Sequence, residues 1–225
     1  MNIIAHIHTD LPTKFGVPRQ SGLVDALKAR IVFTELYRDP EALRGIEDFT
    51  HIWLIWEFSQ AKRDDWSPTV RPPRLGGNRR LGVFATRSPF RPNAIGLSCV
   101  KLERTEKRSD EGTVLIVSGA DLLDGTPIFD IKPYLPFTDC HTEATGGYAS
   151  ENANHRLQVL FPETLLEQLP SDKRQGLWEC LADDPRPSYQ DDPNRIYGMR
   201  FGSHEIKFTV NGDTLEVIAV EKALQ

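Results

Sequence analysis

Cysteine is scarce in this 225-residue chain: Cys99, Cys140 and Cys180, with no Cys-x-x-Cys pair. So few, in odd number and far apart, they exclude a disulfide framework and fit a reducing cytoplasm. No apolar run approaches the ~20 residues a membrane helix needs, so no membrane partner is expected. The N-terminus, Met1-Asn2-Ile3-Ile4-Ala5-His6, lacks a basic stretch followed by an apolar core, and no signal peptide is expected. No Gly-x-Gly-x-x-Gly follows a strand, and there is no phosphate-loop lysine, His-Glu-x-x-His or Gly-x-Ser-x-Gly. The strand–helix alternation of a doubly wound sheet is also missing, which argues against a nucleotide in the usual cradle. His6 and His8 share a strand face without a plausibly spaced third ligand, so no metal is expected.

Hydrophobic residues make up 39% and charged residues 26%, the balance of an ordinary globular protein. A net charge of −5 alone argues against nucleic acid, but the distribution does not. Between Arg71 and Arg108 ten Lys or Arg stand against Glu103 and Glu106. Such a segment offers a local positive field to a polyanion. Lys101 to Arg108 also fits a solvated charged hairpin. Arg71, Arg74, Arg79 and Arg80 fit that reading less well, because they lead directly into an unusual loop.

Short strands dominate the pattern. Expected strands are Ile3–His8, Ala29–Glu35, Phe49–Phe58, Leu81–Ala85, Ile95–Arg104, Thr113–Gly119 and one from the Asp124-Gly125 turn through Ile131. Pro40–Gly45 suggests a short helix, and Arg63–Arg80 a long irregular loop. The continuous apolar character of Phe49–Phe58 implies burial on both faces, and its aromatics make it a candidate neighbour of a dimer seam. Residues 141–155 read as a linker or mobile loop. Helices are expected at Pro162–Leu169 and Asp172–Leu181, the latter with Ser171 as N-cap and Leu177, Trp178 and Leu181 on one face. Strands Met199–Val210 and Thr214–Val220 flank Asn211-Gly212, a hairpin signature. The fold expected is mainly β: an antiparallel β-barrel over residues 1–140 and a small α+β domain over 156–225. A tail of about 70 residues is marginal alone and should dock on the main domain.

The most informative string is Gly82-Val83-Phe84-Ala85-Thr86-Arg87-Ser88-Pro89-Phe90-Arg91-Pro92-Asn93-Ala94-Ile95-Gly96-Leu97-Ser98. It runs from an apolar strand into a loop stiffened by two prolines and back into a strand. Each proline fixes its own φ and pushes Ser88 or Arg91 toward extended geometry. A loop shaped in advance loses little entropy on docking a ligand, and its arginine forks suit a carboxylate or a phosphate. A rigid surface turn with solvated arginines is the ordinary alternative.

This string resembles the hallmark of the TsaA-like, or TrmO, family. So do Gly16-Val17-Pro18-Arg19-Gln20, His51-Ile52-Trp53-Leu54-Ile55, and the segment from Asp121-Leu122-Leu123-Asp124-Gly125 to Tyr134. The motifs keep the family's order over roughly residues 1–140, and the tail resembles its additional C-terminal domain. The resemblance implies a cytoplasmic, homodimeric, S-adenosylmethionine-dependent tRNA methyltransferase on a β-barrel, acting at N6 of the threonylcarbamoyl-modified adenosine beside the anticodon. It places cofactor contacts on Pro18, Arg19, Gln20, Ser59, Gln60, Arg87, Leu97, Leu122, Leu123, Asp124 and Gly125. The residue types fit: Gln20 and Gln60 suit an adenine edge, Arg87 a carboxylate, and Leu97 with Leu122 the apolar parts. Each also has an ordinary reading, Leu97 as core and Asp124-Gly125 as a turn. Two departures stand out: Asn93-Ala94 where many relatives have Asn-Pro, and Ser59 where some have histidine.

Asp130 and Lys132 lie two apart in a strand and should share a face, with Phe129 and Ile131 turned to the core. They are an ion pair or a substrate-positioning pair. Asp130, or a group oriented by Asn93, is the candidate for assisting proton loss from the target nitrogen. Tyr134 is placed to stack on a base or bond the threonyl group. The anticodon loop of the tRNA should be held by Arg71, Arg74, Arg79, Arg80 and Arg91 through phosphates, with Phe90 as an aromatic contact or a plug. The rival readings are a non-catalytic S-adenosylmethionine sensor, a small-molecule methyltransferase and, more remotely, a metal-dependent hydrolase. The methyltransferase reading needs the proline-stiffened loop and the Asp124 segment to meet at one cavity.

Overall fold

A computed structural model describes residues 1–61, 65–72, 79–152, 155–186, 190 and 192–223. Six antiparallel strands pair into a closed ring in the order β1 (Ala5–His8), β2 (Lys28–Phe33), β7 (Gly112–Ser118), β6 (Ile95–Arg108), β3 (His51–Glu57) and β8 (Thr126–Pro133), which returns to β1. Closure leaves these strands without a free edge. The interior holds Ile7, Ile31, Ile52, Leu54, Val100, Leu115, Val117 and Ile128, all buried.

The burial of β3 differs from the expectation. Ile52, Leu54 and Trp56 point inward, while His51, Trp53, Ile55 and Glu57 are only half-buried on an outer face. On that face Trp53 donates its indole N–H to Asp139 Oδ2, at the end of the short helix that follows β8, at 3.0 Å. β6 runs four residues past the expected end at Arg104, because acids on its charged half gather the bases. Glu103 bridges Lys28 (2.8 Å) and Lys101 (3.3 Å), and Glu106 bridges Arg104 (2.9 Å) and Arg108 (2.8 Å). In β8 a bulge changes the phase: Ile55 pairs Asp130 but Trp56 pairs Ile128. Ile128 and Ile131 therefore pack on the core, and Phe129 turns out of it, contrary to the expectation.

The expected strand Leu81–Ala85 is shorter. Only Leu81–Gly82 (β5) pairs, with Thr69–Val70 (β4), and Val83–Ala85 winds into a 3-10 turn that the Thr86 hydroxyl closes on the Val83 carbonyl at 2.9 Å. Within the segment expected as irregular, residues 62–64 and 73–78 lie outside the described residues.

The C-terminal part is a four-stranded sheet, β10 (Tyr197–Phe201), β11 (His204–Asn211), β12 (Thr214–Lys222) and β9 (Gln158–Leu160), the last parallel to β12. The expected strand from Met199 splits at Gly202, whose φ is +54°. A short helix α1 (Pro136–Asp139) follows β8; α2 (Glu163–Leu166) is one turn, and α3 (Ser171–Ala182) starts at Ser171 without a side-chain cap. Leu177 and Leu181 of α3 are buried and Trp178 is 39% exposed. This second core also takes in Leu11, Val24 and Leu27, from the connection between β1 and β2. Gly176 permits that fit, because α3 there passes 3.3 Å from the Ala26 carbonyl oxygen when measured from the position of a Cβ.

Candidate functional site

The proline-stiffened loop ties itself in place. Arg91 Nη1 donates to the Thr86 carbonyl at 2.6 Å and to the Val83 carbonyl at 3.2 Å. The Arg91 amide bonds the Pro89 carbonyl at 2.9 Å, and the Ile95 amide the Asn93 carbonyl at 2.8 Å. Arg91 thus spends its fork on the backbone of its own loop rather than offering it freely to a phosphate.

Pro89 and Phe90 form a wall common to three cavities. The narrowest, about 240 Å³, is lined by Lys14, Val17, the Trp56–Ala61 segment, Asp121, Leu123 and Thr126. A second, about 380 Å³, holds Asn93, Arg91 and Phe129. The largest, about 1340 Å³, is lined by Arg19, Gln20, Arg71, Arg80, Phe84 and Arg87, with Tyr148 and Ala149 from the expected linker. No described Asp or Glu lines it, so its field is positive. No carboxylate among the described residues stands within ion-pair distance of Arg71, Arg79, Arg80 or Arg87.

The expected cofactor residues therefore divide. Ser59, Gln60 and Leu123 reach the narrow cavity; Arg19, Gln20 and Arg87 reach the wide one. Arg87 donates to Gln20 Oε1, which links the loop to the Pro18–Gln20 segment. Arg19 Nη2 bonds the carbonyls of Asp184 and Arg186, both at 2.9 Å. Asp124 Oδ1 accepts the Thr9 amide at 3.1 Å, and the Gly125 amide donates to the Ile7 carbonyl at 2.8 Å with φ at +74°, so this pair pins the end of β1. Pro18 is buried, Leu122 is fully in the ring core, and Leu97 is 52% exposed on the outer face opposite Ile55. Neither leucine lines any of these cavities: Leu122, in the connection before β8, turns into the core, and Leu97 of β6 faces outward.

Asp130 and Lys132 do share a face and pair at 2.9 Å, but in the open and outside these cavities. Tyr134 packs on Trp53, with ring centroids 5.7 Å apart. Arg74 lies outside the described residues.

Sequence reasoning passed over Asp121. It keeps some access through the narrow cavity, yet burial holds its carboxyl above the usual carboxylate range. The Ser98 hydroxyl, the backbone N–H groups of Asp121 and Ser21, and the Arg87 charge oppose that rise without overcoming it. Ser98 donates to Asp121 Oδ1 at 2.5 Å and accepts the Trp56 indole N–H at 2.9 Å. One carboxylate thus gathers the 18–21 segment, the stiffened loop and β6. Its signal was present, as the first residue of the Asp121-Leu122-Leu123-Asp124-Gly125 motif.

The tRNA-methyltransferase O N-terminal domain matches residues 6–140, and the TrmO C-terminal domain residues 154–223. A tRNA (adenine(37)-N6)-methyltransferase of Escherichia coli K12 is 39% identical over 226 residues, 97% of this chain and 96% of that one. A Pseudomonas aeruginosa protein named as a candidate S-adenosylmethionine-dependent methyltransferase is 42% identical over 205 residues, 88% of this chain and 86% of that one. A crystal structure of TrmO from Pseudomonas aeruginosa superposes with a TM-score of 0.76 at 34% identity, covering 96% of each chain. With both domains matched in order and the relatives aligned nearly end to end, the chain belongs to the tRNA-methyltransferase O family.

Proposed function

We propose that the chain is an S-adenosylmethionine-dependent methyltransferase acting on N6 of adenine 37 of tRNA, with the threonylcarbamoyl-modified adenosine as its substrate. The observation that carries this reading is the meeting of the stiffened loop with the Asp121–Gly125 segment at one cavity, beside a wide basic one.

The narrow cavity suits the cofactor chemically. Trp56, Phe58, Phe90 and Leu123 offer apolar walls to a nucleoside and to the methylene groups of the methionine arm. Aromatic faces and the Asp121 carboxyl favour a sulfonium cation. The Lys14 ammonium suits an amino-acid carboxylate; it now donates to the Gln60 carbonyl at 2.7 Å, which brings the Ser59-Gln60 turn to the same mouth. When bound, the cofactor supplies an electrophilic methyl group.

The chain's own part is mostly alignment, because displacement at a methyl needs the attacking nitrogen in line and close. Arg71, Arg80 and Arg87 hold RNA phosphates over the wide cavity, and the target base reaches past Pro89-Phe90, the wall shared with the narrow one. Asp121 is better placed than Asp130 to take the proton of the target nitrogen: it lines a cavity and burial raises its basicity. We further infer two units, a barrel and a C-terminal sheet, that share residues 9–27. We also infer a homodimer joined on the outer face of β3, where Trp53, Ile55 and Leu97 are neighbours; light scattering tests it.

Labelled methyl transfer to tRNA with and without the threonylcarbamoyl group is the decisive assay. Incorporation into the modified tRNA alone is expected. Cofactor binding with no transfer to either tRNA would overturn the reading.

A further inference from the structure

Beside the wide cavity two large rings lie open to solvent. Trp66 is 52% exposed and Phe84 72%, yet they stack, with centroids 6.2 Å apart and planes inclined by 30°. Both sit on a fixed frame. The Val83 amide donates to the Pro68 carbonyl at 2.9 Å, the Ser67 hydroxyl to the Thr69 carbonyl at 2.8 Å, and β4 pairs with β5 between them. Arg91, locked to the Val83 and Thr86 carbonyls, places its guanidinium 5.8 Å from the centre of the Phe84 ring.

We propose that Trp66 and Phe84 are a stacking platform for an unpaired base of the RNA, next to the reacting adenosine. The inference rests on the tRNA-methyltransferase reading and adds to it a specificity-determining contact. Charge identifies the occupant. Phe84 lines the cavity that carries Arg71, Arg80 and Arg87 and no described acid, so whatever covers the rings brings negative charge with it. A single-stranded nucleotide brings both parts, a phosphate for the arginines and a π-face for the rings. A base still stacked in a duplex offers no free face. Because every base has a π-face, the platform orients the loop more than it reads its sequence.

The test uses full-length protein and an anticodon stem-loop RNA carrying 2-aminopurine beside position 37. Binding to wild type should quench the fluorophore. Trp66→Ala and Phe84→Ala should lose the quench and weaken RNA affinity about 5- to 150-fold. Trp66→Phe should restore most of both. Cofactor affinity, melting temperature and the slope of affinity against salt should stay at wild-type values, since no phosphate contact is removed. Quenching and affinity unchanged in the double alanine variant would overturn the proposal. So would a change of oligomeric state with RNA affinity intact, which would make the patch a protein contact. A wild-type protein that methylates no tRNA overturns the functional reading itself; an active wild type with indifferent platform variants overturns only the platform.

Discussion

Asp121→Asn separates what the narrow cavity does for stability from what it does for chemistry. Asparagine keeps the shape and can still accept the Ser98 hydroxyl, so the Trp56–Ser98 chain survives. What disappears is the charge. Burial raises the Asp121 carboxyl, so the native protein keeps that proton to higher pH than the unfolded chain does. The stability this group contributes is then complete below the unfolded carboxyl pKa and is lost as pH rises through the folded one. Once ionised, the wild type carries a carboxylate that its surroundings disfavour, and the variant does not. As pH rises above the ordinary carboxylate range, the melting temperature of Asp121→Asn should therefore fall less than that of wild type. Activity should move the other way. A hydrogen bond to a charged group contributes about 1.5–3 kcal/mol, so losing the one offered to a bound cation or a reacting nitrogen lowers kcat/KM roughly 10- to 150-fold. Scanning calorimetry and a methyl-transfer assay at saturating tRNA read the two effects. A variant that melts several degrees lower with full activity would refute the reasoning and make Asp121 a buttress of Ser98.

Gly96→Ala tests the cavity wall from behind: a methyl there would overlap the Trp56 ring, so the ring must shift, at a cost of about 1–3 kcal/mol seen in thermal melts and with weaker cofactor binding in calorimetry. Arg186→Met leaves the buried Asp184 carboxylate with no cation but His155 at 3.2 Å, beside the residue-186 amide, and should cost about 3–5 kcal/mol in urea unfolding; Asp184→Asn added to it should recover much of that. Hydrogen bonds from Lys28 and Ser118, with Lys101 behind them, hold Glu103 down at about 2, so its stabilisation is present above pH 4.5 and is lost as pH falls toward 2. Glu103→Gln should flatten the acid-unfolding curve across that window, followed by circular dichroism.

The stiffened loop was legible in the sequence because its determinants are local. Prolines fix φ, Thr86 and Ser88 bond their own neighbours, and no distant partner is needed to state its shape. The ring strands were legible for a similar reason, as runs of branched and aromatic residues between turns. What failed depended on distant contacts. Trp53 and Ile55 read as buried because they are apolar, but closure of the ring gives β3 one inner and one outer face, and their phase sets them on the outer one. The bulge that turns Phe129 out of the core is a property of the pairing with β3, and no residue in β8 announces it. β9 is three residues long and exists through its parallel pairing with β12. Leu122 and Leu123 are adjacent, so motif matching treats them alike, while the chain sends one into the core and the other to the cavity.

The connection between β1 and β2 explains why a second unit matters to the site at all. Its ends belong to the ring, but its middle is held from the other side. Leu11, Val24 and Leu27 complete the C-terminal core; Lys173 pairs with Asp10, and the Gly202 amide donates to the Asp10 carbonyl at 2.7 Å. Gly16, at a φ of +93°, lies so close to Met199 that any side chain there would have to displace the methionine. Arg19 is anchored on the carbonyls around the Asp184–Arg186 pair, so the segment that delivers Gln20 to Arg87 takes its position from residues more than 160 places downstream. A ring cut free of that sheet would expose three core side chains and release the segment. Those losses coincide because one stretch of chain serves both, and the C-terminal sheet is on this account part of the site's framework rather than an appendage to it.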